Sequence, residues 1–287
     1  MQSTDQAPGA VQWLTLAGGA RIPQLGYGVW RIDNSDAERA VGVALDAGYR
    51  LIDTAAGYHN EAGVGAALRA AADRGIDRSD IFVTTKLANS EHGYDAALHA
   101  FDRSADRLGL EVVDLYLIHW PRPAHDLYLP TWRAFIRLRE EGRVRAIGVS
   151  NFEPQHLDRL VAETGVAPEV NQVELHPQFQ QRGLCEYHAA HGIVTEAWAP
   201  IGAGTGLLEN PTLLQLAARN GISPAQAVLA WHLTRGHVVI PKSSDPVRTA
   251  ENYASLTVLL SDRELSVIDR LDRGESGRTG SAPGDVN

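Results

Sequence analysis

The sequence predicts an α/β chain folded as a (β/α)₈ TIM barrel, with a β-hairpin ahead of the first barrel strand at the barrel bottom. Three observations carry this reading. Eight short, apolar, β-branched runs alternate with helical stretches between about residues 25 and 255. The runs are too apolar to face water, which describes a parallel sheet covered by helices. Eight such units in 287 residues also match the number and length that close into a barrel. An open, doubly wound sheet is the alternative for the same pattern.

The elements follow in order. WLTLAGGARIPQ (13–24) reads as a hairpin turning at Gly18–Gly19, placed to plug the barrel bottom. The strands are LGYGVW (25–30), YRLIDT (49–54), IFVTTKL (81–87), VDLYLIH (113–119), VRAIGVS (144–150), EVNQVEL (169–175), IVTEAWA (193–199) and HVVIP (237–241). Between them, SDAERAVGVALDAG, NEAGVGAALRAAADRG, YDAALHAFDRSADRLG and LPTWRAFIRLREEG repeat apolar residues every three or four positions. Each ends on a glycine, where a helix C-cap favours one. Ser35, Ser223 and either Ser244 or Asp245 stand as N-caps, with Pro224 and Pro246 at first helical positions. No linker divides the chain, so residues 1–287 are read as one domain, with 1–10 and 274–287 loop-like.

Composition narrows the function. Twenty-six basic against thirty-five acidic residues give a net charge of −9, without a basic run. Such a chain is a poor partner for nucleic acid or an anionic membrane. The single cysteine, Cys185, excludes an internal disulfide framework and a cysteine zinc cluster. Neither a signal-peptide pattern nor an 18-residue apolar stretch is seen, so a cytoplasmic protein is expected. Nothing in the sequence marks an interface, and a monomer is expected. Of the 26 basic residues only Lys86 and Lys242 are lysines. Lysine is a compact ammonium with a movable pKa, which arginine does not imitate.

Barrel chemistry sits where strands end. The strand ends here carry Asp53 with Tyr58 in the following loop, Lys86, His119–Trp120, Ser150–Asn151, the Asn171–Gln172–Glu174 group, Trp198, and Lys242–Ser243. Singly these residues have ordinary explanations: a histidine after an apolar strand is commonly a bonded core residue, and Asp53 could cap a helix. Jointly, an acid, a phenol, a lysine and a histidine on three consecutive strand ends make a proton-donating device. A phenol of pKa about 10 is a weak acid at neutral pH. An adjacent ammonium lowers that value, a carboxylate keeps the ammonium charged, and a histidine orients the substrate oxygen. No side chain donates hydride, so a carbonyl reduction needs a cofactor. GVGAAL (63–68) and GAGTGLL (202–208) lack the strand–GxGxxG–helix setting of a Rossmann phosphate loop.

Seven motifs then resemble the aldo-keto reductases, in family order and over nearly the whole chain: LIDTAAGYHNE (51–61), TTKL (84–87), DLYLIHWP (114–121), GRVRAIGVSNF (142–152), VNQVELHP (170–177), APIG (199–202) and IPKS (240–243). Within the family the chain is most similar to bacterial diketogluconate-reductase-like members. The resemblance implies a catalytic tetrad of Asp53, Tyr58, Lys86 and His119, with Tyr58 as general acid in reduction. It implies NADPH as cofactor, its carboxamide held by Ser150, Asn151 and Gln172 and its ring stacked on Trp198. Lys242, Ser243 and Arg248 match positions that bind the 2′-phosphate, and Glu251 and Asn252 match adenine contacts. Asp245 departs from the family pattern and reads as a helix N-cap. Ser243 and the two cations lie just before a helix N-terminus, which suits an anion. Trp30 and Trp120 are expected to line a substrate pocket open to small aldehydes, ketones and α-dicarbonyls, sugar-derived ones included. No metal is expected. Two rival readings are a non-catalytic NADPH-binding regulatory barrel and a metal-dependent hydrolase using Asp53, His119, Glu174 and His176. The second lacks an HxH on strand one and would rely on the weak ligands Asn171 and Gln172.

Overall fold

Strand β1 (Trp13–Thr15) pairs antiparallel with β2 (Arg21–Pro23) in the computed structural model, which describes residues 12–286. The chain reverses between them through hydrogen bonds from Leu16 N to Ala20 O (2.8 Å) and from Gly19 N to Leu16 O (2.9 Å). Gly19 sits at φ +89°, a conformation that a residue without Cβ enters freely. The hairpin therefore turns where its glycine pair predicts.

Eight parallel strands follow: β3 (Tyr27–Gly28), β4 (Leu51–Asp53), β5 (Phe82–Leu87), β6 (Val113–Ile118), β7 (Val144–Ser150), β8 (Val170–Glu174), β9 (Val194–Trp198) and β10 (Val238–Val239). Each pairs with the next in chain order. The last meets the first: Leu25 bridges Val239, Gly26 N donates to Val239 O (2.8 Å), Val239 N to Gln24 O (2.9 Å) and Gly28 N to Pro241 O (3.2 Å). This seam closes the sheet into a barrel and removes the open-sheet alternative. A Cβ on Gly28 would lie 3.0 Å from the Ile240 carbonyl oxygen, so the seam closes where a side chain is missing. The two seam strands are shorter than their apolar runs. Pro241 has no N–H to continue β10, which leaves Lys242 in the loop beyond it and not at a strand end.

Helices α1 (Asn34–Ala47), α2 (Glu61–Ala71), α3 (Tyr94–Leu108), α4 (Tyr128–Glu140), α5 (Pro154–Thr164) and α6 (Arg182–Ala190) connect successive strands from β3 to β9. Helices α7 (Pro211–Asn220) and α8 (Pro224–Thr234) share the next crossover, and α9 (Pro246–Tyr253) and α10 (Asp262–Asp269) follow β10. Ser223 caps α8 in a reciprocal box with Gln226, and Asp245, not Ser244, caps α9. Ser35 is not a cap. The Asp33 carbonyl already accepts from Asp36 N (2.9 Å) and Ala37 N (3.0 Å), so α1 begins one residue before the serine. Among the described residues no helix is long and apolar enough to cross a membrane.

The barrel interior explains how the site is placed. Leu16 and Ile22 of the hairpin pack with Leu51, Phe82, Leu115, Leu117, Ala146, Val170, Val238 and Ile240 in one buried cluster, so the hairpin plugs the bottom. Side chains alternate along a strand, and every second residue shares a face. The inner face therefore runs from Leu51 to Asp53, from Phe82 to Lys86, from Leu117 to His119, from Ala146 to Ser150, from Val170 to Gln172, and from Glu196 to Trp198. Apolar residues fill the lower layers, and the polar set emerges at the C-terminal mouth.

Candidate active site

Asp53, the last residue of β4, is buried, and its carboxylate is shared between two donors. Lys86 Nζ reaches Oδ1 at 2.6 Å and Gln172 Nε2 reaches Oδ2 at 2.8 Å. Lys86 is wholly enclosed in β5. Its ammonium also donates to the Thr54 carbonyl at 3.0 Å and to the Tyr58 hydroxyl at 3.4 Å, which engages all three N–H bonds. Tyr58 ends a short 3₁₀ turn, Ala56–Tyr58, directly after β4. Asn60 pins that turn: it accepts from Thr54 Oγ1 (2.8 Å) and donates to the carbonyls of Val29 and Ile32 (2.9 Å each). The Tyr58 ring meets His119 edge-on, with centroids 5.7 Å apart. The four tetrad residues are therefore brought together as the motifs imply.

Burial shapes the electrostatics. It pulls the Lys86 ammonium toward neutrality, but Asp53, Tyr58 and Glu196 outweigh it and hold the group above its ordinary value, hence charged. Burial also pushes the Tyr58 phenol up, and the Lys86 ammonium opposes this without cancelling it. The adjacent lysine does act to lower the phenol as expected, but desolvation is the larger effect and the phenol stands above its ordinary value. Burial, then Lys86, pushes His119 down to about 3, so its imidazole is neutral at physiological pH. Among the described residues its ring makes no hydrogen bond, which leaves a donor free to face a ligand.

Around this centre the rim is one hydrogen-bonded arc. Ser150 Oγ donates to the Gln172 carbonyl (2.7 Å), and Asn151 Nδ2 donates to Ser150 Oγ and to the His119 carbonyl (3.0 Å each). Asn151 Oδ1 accepts from Trp198 Nε1 at 2.8 Å. Asn151 takes a left-handed φ of +63°, which asparagine tolerates better than most residues. Trp120 is half-buried beside His119. Trp30 is 50% exposed, with the Arg31 guanidinium 4.1 Å over its ring.

The second predicted group stands on α9 and the loop before it. Asp245 accepts from Val247 N (2.8 Å) and Arg248 N (3.2 Å), and Ser243 Oγ is turned onto the Asp245 backbone. The helix N-terminus offered to an anion is thus already capped. The cationic side chains of Lys242 and Arg248 remain, the Arg248 guanidinium 3.8 Å from the Asp245 carboxylate, with Glu251 half-buried and Asn252 buried one turn on.

Two glutamates carry roles the sequence did not reveal. Glu174, at the end of β8, clasps the C-terminal segment: Oε1 accepts from Thr279 N (2.7 Å) and Thr279 Oγ1 (2.5 Å), and Oε2 from Gly280 N (2.8 Å). His176 Nε2 adds a contact at 3.2 Å. A Cβ on Gly280 would lie 2.4 Å from Trp198 Cη2, so the tail is laid directly on that ring. Residues 274–286 thus carry two 3₁₀ turns, Gly274–Gly277 and Pro283–Asp285, and a fixed anchor. Glu196 is wholly buried on the inner face of β9, and burial, then Asp53, pushes its carboxyl up to about 8. Its signal was a charged residue at an inward position of an apolar strand, two before Trp198. Among the described residues no three His, Cys, Asp or Glu side chains converge as metal ligands.

This barrel is shared with known proteins. The model of the aldo/keto reductase family matches residues 17–273. An aldo-keto reductase of Mycolicibacterium smegmatis is 50% identical over 274 residues, 96% of this chain and 98% of its own. A methylglyoxal reductase of Yersinia pestis is 47% identical over 264 residues, 91% of this chain and 93% of its own. Among solved structures, a Gox0644 mutant in complex with NADPH superposes with a TM-score of 0.92 at 44% identity, covering 97% of this chain and 99% of that one. Motifs, barrel and relatives agree along nearly the full length: the chain belongs to the aldo/keto reductase family.

Proposed function

We propose that this protein uses NADPH to reduce aldehydes, ketones or α-dicarbonyls, small or sugar-derived, to alcohols, with Tyr58 as the general acid. The observation that carries the reading is the enclosed Lys86 ammonium, 2.6 Å from Asp53 and 3.4 Å from the Tyr58 hydroxyl at the barrel mouth. The NADPH complex of the similar structure and the methylglyoxal reductase among the relatives support it.

The residues present fit the cofactor. Ser150, Asn151 and Gln172 give the mouth hydroxyl and amide groups suited to a carboxamide, and Trp198 gives an aromatic face for a flat ring. Lys242 and Arg248 offer two cations to a 2′-phosphate, which favours NADPH over NADH. When bound, NADPH supplies the hydride.

The chain's own residues handle the proton. Neutral His119 directs an N–H at the carbonyl oxygen, orients it, and does not compete as an acid. Tyr58 gives its proton to that oxygen as negative charge develops there. Lys86 stabilises the phenolate left behind, and Asp53 keeps Lys86 protonated and in place. Alcohol oxidation runs the same transfer backwards, with the phenolate as base. Half-exposed Trp30 and Trp120 wall a site with few large groups, which accepts several carbonyls and discriminates weakly among them.

The test is consumption of NADPH and NADH with phenylglyoxal, methylglyoxal, diacetyl, nitrobenzaldehyde and a keto-sugar acid. Turnover with several of these, and a kcat/KM favouring NADPH, is the expected result. Cofactor binding without turnover of any carbonyl overturns the proposal, and a preference for NADH overturns the assignment of Lys242 and Arg248.

A further inference from the structure

The proton chemistry proposed for Tyr58 leaves one enclosed ionisable group beside it unused. Glu196 lies in the middle of β9, in register with Gln172 of β8 and Val238 of β10. It is 0% exposed and shares the inner face with Trp198. Among the described residues neither carboxyl oxygen has a hydrogen-bond partner. The ionisable groups that face it all belong to the tetrad: the charged Asp53 from β4 and Lys86 from β5, and the neutral phenol of Tyr58 from the turn after β4. The neighbouring strands contribute only the neutral Gln172 and apolar Val238.

A carboxylate in such a place would be stripped of water with a second carboxylate close by, and the Gln172 amide and the Lys86 ammonium oppose these penalties without offsetting them. The neutral acid avoids the two charge penalties, which are the larger ones, and keeps only the smaller cost of a buried polar group. We infer that Glu196 is a positioning residue that carries a proton behind the tetrad, leaving Asp53 the only carboxylate to partner Lys86, and that on ionising it tightens the hold of Tyr58 on its own proton. The inference deepens the Tyr58 reading and rests on it.

The sign of the effect is fixed by charge. Ionised Glu196 adds negative charge near the phenol, which disfavours the phenolate. Alcohol oxidation starts from the phenolate, so ionised Glu196 displaces the rise of its rate toward higher pH. Glutamine at this position keeps the shape and cannot ionise.

Two measurements test this. The first is difference infrared spectroscopy of the enzyme, free and loaded with NADP⁺. At neutral pH the wild type should show the carbonyl stretch of a protonated, water-free carboxylic acid. The band should fade as pH passes about 8, be missing from Glu196→Gln, and persist in Tyr58→Phe. The second is the pH profile of kcat/KM for alcohol oxidation. Its acid limb should move about 1 pH unit lower in Glu196→Gln, close to tenfold in rate on the limb, and return toward wild type in Glu196→Asp. Absence of the band in the wild type overturns the proton on Glu196. A uniform loss in Glu196→Gln with an unmoved limb reduces the residue to packing and overturns the coupling. Retained turnover in Tyr58→Phe with the band intact overturns the general-acid reading, and with it the coupling, while leaving the proton in place.

Discussion

The buried Asp53 carboxylate is held by two contacts, one to Lys86 and one to Gln172. Removing one partner of a buried pair strands the other charge, at about 3–5 kcal/mol. Asp53→Ala is therefore expected to lower unfolding free energy by about that amount, read from urea titration, and to lower kcat more than it raises KM. A loss confined to KM would place Asp53 in substrate binding instead. At this scale the sequence was informative for these four residues, because an acid, a lysine and a histidine stood at three consecutive strand ends with a tyrosine in the loop after the first. It was blind to Glu196 and to the tail-binding role of Glu174, which are single acids in ordinary strands. It also missed the burial of the phenol. Proximity of lysine to tyrosine is legible in a motif, whereas the desolvation that outweighs it depends on the enclosing barrel.

Elements set which side chains meet. Strand alternation carries apolar residues below and polar residues above on the same inner face, and that pattern can be read directly from LIDT, VTTKL and LYLIH. The seam cannot. Only two residues each of β3 and β10 are paired as strand, and closure depends on Gly28 approaching Ile240 and on Pro241 lacking an N–H. The tail was equally illegible, since GESGRTGSAPGD contains no periodicity and its order comes from a carboxylate 105 residues away. Charge-assisted hydrogen bonds to a carboxylate contribute about 1.5–3 kcal/mol each. Glu174→Ala is expected to release the segment, giving faster proteolytic cleavage within residues 274–286 and a shift in the fluorescence of Trp198. Unchanged cleavage and fluorescence would show that the tail is held by other contacts.

Across the whole molecule, the barrel buries several histidines in neutral form. His188 accepts from Asn171 Nδ2 at 2.9 Å, and His232 shares a proton-bearing contact with His237 at 3.2 Å. Burial, aided by neighbouring positive charge, pushes His92, His188 and His237 down to about 4, and burial carries His232 well below its ordinary value. A histidine depressed in the folded state binds more protons when unfolded. Its stabilising effect is complete above about pH 6.5 and is lost as pH falls toward 4. Thermal stability is therefore expected to drop over that window as pH falls, by about 1.4 kcal/mol per pH unit for each such histidine, with protonated Glu196 offsetting one of them. A flat Tm across the same range would contradict the neutral assignments. In the function proposed above, the barrel, its plugging hairpin and its mouth together serve one proton transfer, and Tyr58→Phe tests that claim most directly. The variant keeps the ring against His119 and removes only the hydroxyl. The account predicts NADPH binding close to wild type by fluorescence titration, with carbonyl turnover lower by about 10²-fold or more. Turnover within a few-fold of wild type would contradict it.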